Sequence, residues 1–74
     1  MPYSCMLVDD EEDVINAIRR TIDWESLGFS VPTEAHNGLE ALEFAEDSAP
    51  DVVLTDIKMP YMDGLELAHR LKEL

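Results

Sequence analysis

The stretch Asp51-Val52-Val53-Leu54-Thr55-Asp56 is a short, β-branched apolar run that stops on an acid. The same pattern stands near the start of the chain, where Tyr3-Ser4-Cys5-Met6-Leu7-Val8 runs straight into Asp9-Asp10-Glu11-Glu12-Asp13. A continuous apolar run with charge only at its end suits a strand buried on both faces, the condition of a parallel sheet covered by helices. After the first run the period changes: Val14, Ile15, Ile18 and Ile22 recur at helical spacing, with Asn16, Arg19 and Arg20 on the other side. Glu11, Glu12 and Asp13 suit the positive end of that helix's dipole, and Gly28 is expected to end the segment. Phe29 to Ala35 reads as a second strand, which Pro32 marks as an edge. Asn37-Gly38 reads as a turn, and Leu39, Ala41, Leu42 and Ala45 as a second amphipathic helix stopped by Ser48-Ala49-Pro50. Beyond Asp56, residues Lys58 to Gly64 form a loop with Asp63 as the expected N-cap, and Leu67, Leu71 and Leu74 carry a third helix.

Strand and helix thus alternate three times, which implies parallel pairing through right-handed crossovers and an α/β layered fold. The 74 residues make one domain, and a domain this small buries only about 60% of its unfolded surface. One cysteine, Cys5, excludes an internal disulfide framework and a multi-cysteine zinc site. A 46% hydrophobic content is too high for a disordered acidic tail, and no apolar run approaches the roughly 20 residues that span a bilayer. The first residues lack the basic and apolar character of a signal peptide, so a cytoplasmic location is expected. Seventeen acids against five bases give a formal charge of −12, which repels phosphate backbones and anionic lipid. Direct binding of nucleic acid or membrane by this segment is therefore not expected, whereas cations are attracted.

In open α/β sheets, ligands bind beyond the carboxyl ends of the strands where strand order reverses. With order 2-1-3 the first and third strands are neighbours, about 4.8 Å apart, so Asp9, Asp10 and Asp56 would converge. Like charges that close raise one another's pKa unless a cation relieves them, and an all-oxygen set suits Mg²⁺. The alternative is that Asp9 to Asp13 only cap a helix and Asp56 only opens a loop. Spacing alone does not say which acid does chemistry.

Three blocks carry a resemblance: Met6-Leu7-Val8-Asp9-Asp10-Glu11, Asn37-Gly38-Leu39-Glu40-Ala41-Leu42, and the long run from Pro50 through Asp56-Ile57-Lys58-Met59-Pro60-Tyr61-Met62-Asp63-Gly64. Together they resemble the receiver domain of two-component response regulators, over nearly the whole chain. The stretch Ile22-Asp23-Trp24-Glu25-Ser26-Leu27-Gly28-Phe29 is further similar to receivers whose output is an AraC-type helix-turn-helix domain. The resemblance implies a flavodoxin-like, doubly wound parallel sheet. It implies that Asp56 accepts a phosphoryl group from a sensor histidine kinase as an acyl phosphate. It also implies that Asp10 binds Mg²⁺ directly, that Asp9 assists through water, and that the backbone carbonyl of Lys58 completes the ligand set. A signalling module with no small-molecule substrate of its own follows, rather than an enzyme. A phosphatase-like use of Asp56 is disfavoured because Lys58, not a second acid, stands two residues on.

Receivers carry five strand–helix units, so residues 1–74 are expected to be a receiver cut after the third. The Ser or Thr that ends the fourth strand and the Lys that ends the fifth are then absent. Switching is expected to be impaired, because neither Thr55 nor Lys58 replaces them. The third strand becomes an open edge carrying Val52, Val53, Leu54 and Ile57, from which an antiparallel homodimer along that strand is expected. A self-assembling half-domain with idle acids is the alternative. Among the remaining residues, Cys5 is read as an inert core thiol and His36 and His69 as solvated. Trp24 and Phe29 are read as cover for the base of the sheet, and Met59 and Met62 as filling around the acid loop.

Overall fold

The computed structural model describes residues 2–59 and 61–74, so Pro60 of the loop and Met1 lie outside the described residues. Its elements run β1 (Cys5–Val8), α1 (Glu12–Thr21), β2 (Thr33–Ala35), α2 (Gly38–Asp47), β3 (Val52–Thr55) and α3 (Gly64–Lys72). β1 is the central strand, parallel to both neighbours in the order β2-β1-β3, as the alternating pattern requires. All four of its residues are buried, because helices cover both sides.

Alternation along β1 divides the core in two. Met6 and Val8 face α2 and α3, packing with Ala35, Ala41, Ala45, Met62 and Leu67. Cys5 and Leu7 face the other way, onto Ile15 of α1 and Trp24, with Ile18, Ile22 and Phe29 at the rim. Each fully buried Leu, Ile or Met stabilises the fold by about 1.5–3 kcal/mol, so Met6, Leu7, Ile15 and Leu67 at the bottom of these clusters decide whether so short a chain folds. Burial also pushes the Cys5 thiol pKa up, in keeping with an inert thiol. Met62 is buried and Met59 packs against the same cluster, so both methionines fill the space beside the acid loop.

Several boundaries differ from the sequence reading. β1 begins at Cys5; Tyr3 contributes only an isolated parallel bridge to Phe29. Helix α1 stops at Thr21, well before Gly28. Gly28 instead closes a separate single turn, Trp24 to Leu27, in which Phe29 N–H donates to the Trp24 carbonyl (2.9 Å) and Gly28 N–H to the Glu25 carbonyl (3.0 Å). That paired pattern needs a left-handed residue, and Gly28 has φ of 86°. The same turn brings the Trp24 indole N–H to the Arg19 carbonyl (3.1 Å), which satisfies one of the carbonyls orphaned at the end of α1. Trp24 therefore caps a helix as well as covering the sheet, and meets Phe29 edge-on.

The second strand is only Thr33–Ala35, and Pro32 stands just before it rather than within it. β2 is still an edge, but Pro32 is buried ahead of the ladder and removes no donor from it. Asn37-Gly38 is not a turn between elements: Asn37 is the N-cap of α2, its side-chain oxygen accepting from Glu40 N–H (2.8 Å). At the start of β3, the Asp51 carboxylate accepts from the backbone N–H of Ser4 (2.8 Å), clamping β3 to β1 before the ladder begins. No helix among the described residues is long and apolar enough to cross a membrane.

Candidate functional site

The parallel ladder brings the ends of β1 and β3 to the same side of the sheet. Asp9 and Asp56 each lie one residue past their strand and are still held by the ladder, with Asp10 next in the chain. Asp9 N–H donates to the Ala35 carbonyl (3.1 Å) and Asp56 N–H to the Val8 carbonyl (3.0 Å). As a result Asp9, Asp10 and Asp56 each offer a carboxylate oxygen, and the three oxygens lie within 4.8 Å of one another. Asp9 is half-buried, whereas Asp10 and Asp56 are exposed. One oxygen of Asp9 accepts from Glu11 N–H (2.9 Å) and turns the chain into α1. One oxygen of Asp56 accepts from Ile57 N–H (2.8 Å). Helix entry and convergence therefore coexist: Asp9 does what a helix-entry acid does and still meets Asp56.

No ion pair to Asp9, Asp10 or Asp56 is formed among the described residues. Three close carboxylates without a basic partner repel one another, and an oxygen-ligated divalent cation is the group whose chemistry fits them. Lys58 lies at the bend two residues beyond Asp56 with its side chain exposed. The Thr55 hydroxyl donates to the Asp56 carbonyl (2.8 Å) and lies 4.0 Å from Met59 sulfur, so it turns to the loop rather than to the acids. Beneath the acids a cavity of about 180 Å³ opens between α1 and β3, lined by Asp9, Asp56, Leu7, Ile15, Ile18 and Leu54.

The loop that returns from Asp56 is tied down at α3. Asp63 caps that helix, its carboxylate accepting from Glu66 N–H (2.8 Å), as expected. Gly64 N–H donates to the Ile57 carbonyl (2.7 Å). A Cβ on Gly64 would lie 2.4 Å from the Asp56 carbonyl oxygen, so only glycine lets α3 start against the backbone of Asp56.

A second polar cluster lies at the end of β2, where the sequence reading expected a solvated histidine. His36 Nδ1 is 3.1 Å from Glu40 Oε1 and His36 Nε2 is 3.1 Å from Glu12 Oε2. Glu34 completes the group and is paired with Arg19. The i,i+4 spacing of His36 and Glu40 was open to reading, but Glu12 is brought in only by the crossover. His69 is exposed and 3.7 Å from Glu73.

Comparison with known proteins places this arrangement. The family described as the response regulator receiver domain matches residues 5–74. The transcriptional regulatory protein YesN of Bacillus subtilis is 45% identical over 69 residues, covering 93% of this chain and 19% of YesN. The REC domain of AraT, a response regulator from Geobacillus stearothermophilus, superposes with a TM-score of 0.92 at 40% identity, over 99% of this chain and 57% of that one. A two-component transcriptional regulator AraC from Clostridium phytofermentans superposes with a TM-score of 0.91 at 34% identity, over 96% and 57% respectively. The chain belongs to the response regulator receiver family, with a flavodoxin-like fold of three parallel strands in the order 2-1-3 and three helices. It spans a fifth of YesN and a little over half of the two receiver structures.

Proposed function

We propose that Asp56 is the phospho-acceptor of a two-component receiver, charged by a sensor histidine kinase, and that Asp9, Asp10, Asp56 and the Lys58 backbone carbonyl hold Mg²⁺. The observation that carries this is the meeting of three carboxylates, without a basic partner, at the ends of two adjacent parallel strands. An Asp56 oxygen attacks the phosphorus of the phosphohistidine; the P–N bond breaks, its electron pair returns to the imidazole, and an acyl phosphate forms on Asp56. Asp56 is suited to the attack because the bond from Ile57 N–H fixes one carboxylate oxygen and so orients the other. Bound Mg²⁺ would neutralise the charge that builds between the carboxylates and the incoming phosphoryl oxygens. Exposed Asp10 would be the principal ligand of the ion and half-buried Asp9 would assist in holding it.

The intact parent is a transcriptional regulator with an AraC-type output domain; the 34% identity to a two-component transcriptional regulator AraC supports the output type, and the 45% identity to the transcriptional regulatory protein YesN supports transcriptional regulation. This segment signals rather than turning over a small molecule. Incubation with acetyl phosphate and Mg²⁺ tests the acceptor reading. A mass increase localised to Asp56, lost in Asp56→Asn and after chelation, is expected; an unmodified Asp56 in a folded chain overturns it.

The edge of β3 favours a second, structural reading. Val52, Leu54 and Ile57 there are 39%, 43% and 56% exposed, an apolar margin that a further strand would cover. Two copies paired antiparallel along β3 would make one six-stranded sheet. Cysteines engineered beside β3 should cross-link into a dimer, and a chain that stays monomeric under those conditions rules the pairing out.

A further inference from the structure

The His36 cluster holds a stereochemical constraint. Both ring nitrogens face carboxylate oxygens, which accept hydrogen bonds and do not donate when ionised. A neutral imidazole has one N–H and so can satisfy one of the two; the imidazolium satisfies both. The two carboxylates come from different elements, Glu12 from the first turn of α1 and Glu40 from the first turn of α2. The remaining charged groups facing the ring are Glu34 on β2 and, paired with it, Arg19 on α1. Glu34 is thus already neutralised by Arg19, which leaves the ring proton to hold Glu12.

We propose that His36 is a proton-gated clasp: charged, it ties the start of α1 to the start of α2 across the end of β2, and on losing its proton it releases Glu12. The proton leaves from Nε2 to solvent, and the exposed lone pair then faces Glu12 Oε2 and repels it. Glu40 is retained because it is only four residues from His36, across the N-cap of α2, and its side chain is only 32% exposed, against 62% for Glu12. The hydrogen bond with Glu40 is the largest influence holding the His36 pKa above its ordinary value; burial opposes it, and the charges of Glu40 and Glu12 add to the rise. The clasp's contribution is therefore complete below the ordinary histidine pKa and is lost as pH rises through the raised one. The affected segment is α1, the one helix on its face of the sheet among the described residues, next to Asp10 and Glu11.

Proton NMR of the His36 ring and of the Glu12 and Asp13 amides, from about pH 5 to 9, tests this on the full chain. The amides of α1 should show an inflection at the His36 midpoint. Glu12→Gln should lower that midpoint and abolish the inflection. Glu40→Gln should lower the midpoint yet keep α1 clasped at high pH, because the new amide donates to Nδ1 and leaves the ring N–H for Glu12. A His36 midpoint unmoved by Glu12→Gln, or an α1 inflection that survives in His36→Gln, overturns the proposal. Neither readout depends on phosphorylation of Asp56.

Discussion

Gly64→Ala sets helix propensity directly against packing. Gly64 opens α3, where alanine is favoured over glycine by up to about 1 kcal/mol per residue, with a further small gain from a stiffer unfolded chain. Propensity alone therefore predicts a more stable protein. The structure predicts the reverse. The new Cβ would lie 2.4 Å from the Asp56 carbonyl oxygen, 3.0 Å from Ile57 Cα and 3.1 Å from the Asp56 carbonyl carbon. All three neighbours are backbone, so no side chain can swing aside, and overpacking of this kind costs about 1–3 kcal/mol. Moving α3 away stretches the 2.7 Å bond from Gly64 N–H to the Ile57 carbonyl, worth about 1 kcal/mol. After the propensity gain is deducted, the net loss is about 2 kcal/mol. Urea unfolding followed by Trp24 fluorescence and far-ultraviolet circular dichroism reads it. With a slope of about 1 kcal/mol per molar for so small a domain, the midpoint falls by about 2 M. A chain already unfolded in buffer agrees with the same reasoning. A midpoint equal to or above that of the parent refutes it, and with it the claim that α3 is seated on the backbone of Asp56.

Two other perturbations follow from the same loop and site. Asp56→Asn removes one of three mutually close negative charges while keeping an oxygen for Ile57 N–H; without divalent cations it should raise stability by about 1 kcal/mol. Added Mg²⁺ should raise the melting temperature of the parent in a concentration-dependent way and that of Asp56→Asn less, as ligand linkage requires; calorimetry showing equal gains would count against Asp56 as a ligand. Tyr61 is non-glycine at φ of 72° and 82% exposed, so its side chain gains little there and its backbone is disfavoured by about 1–2 kcal/mol. Tyr61→Gly should raise the melting temperature and Tyr61→Val lower it, the opposite order to their ordinary conformational preferences.

The parts of the fold that could be read in advance are those governed by one local rule. β1 was legible because a strand buried on both faces has to be apolar throughout and can admit charge only where it ends, so the first acid marks the end; β3 carries the same apolar run into an acid although its residues are only part-buried or exposed at the sheet edge. Asp63 was legible because a capping side chain and the helix it caps are neighbours in sequence. The misreadings lie where two local rules compete. Ile22 continues the helical period of α1, yet Trp24 ends that helix through a turn of its own, and Gly28 serves that turn. The apolar run carries through Pro32 and so extends the apparent β2, whereas the ladder starts only after the residue that lacks a donor. Asn37-Gly38 has the composition of a turn, but Asn37 spends its side chain on Glu40 N–H. Pairings that cross the chain, Glu12 with His36 and Ser4 with Asp51, leave no periodic trace at all.

The acids are the point at which local and long-range information agree, and the reason is mechanical. Asp9 and Asp56 are held through their own N–H groups by carbonyls of the neighbouring strands, Ala35 and Val8. The two Cα positions cannot part without giving up a ladder bond worth about 1 kcal/mol each, and one carboxylate oxygen of each residue is held in turn by Glu11 N–H or Ile57 N–H. Their closeness is therefore set by strand register and not by side-chain choice alone. The same register that makes a buried strand stop at its first acid also delivers that acid to the acid of the next strand. A sequence rule about where charge may appear thus becomes a spatial rule about where charge accumulates, and in a 2-1-3 sheet that place is the gap between β1 and β3.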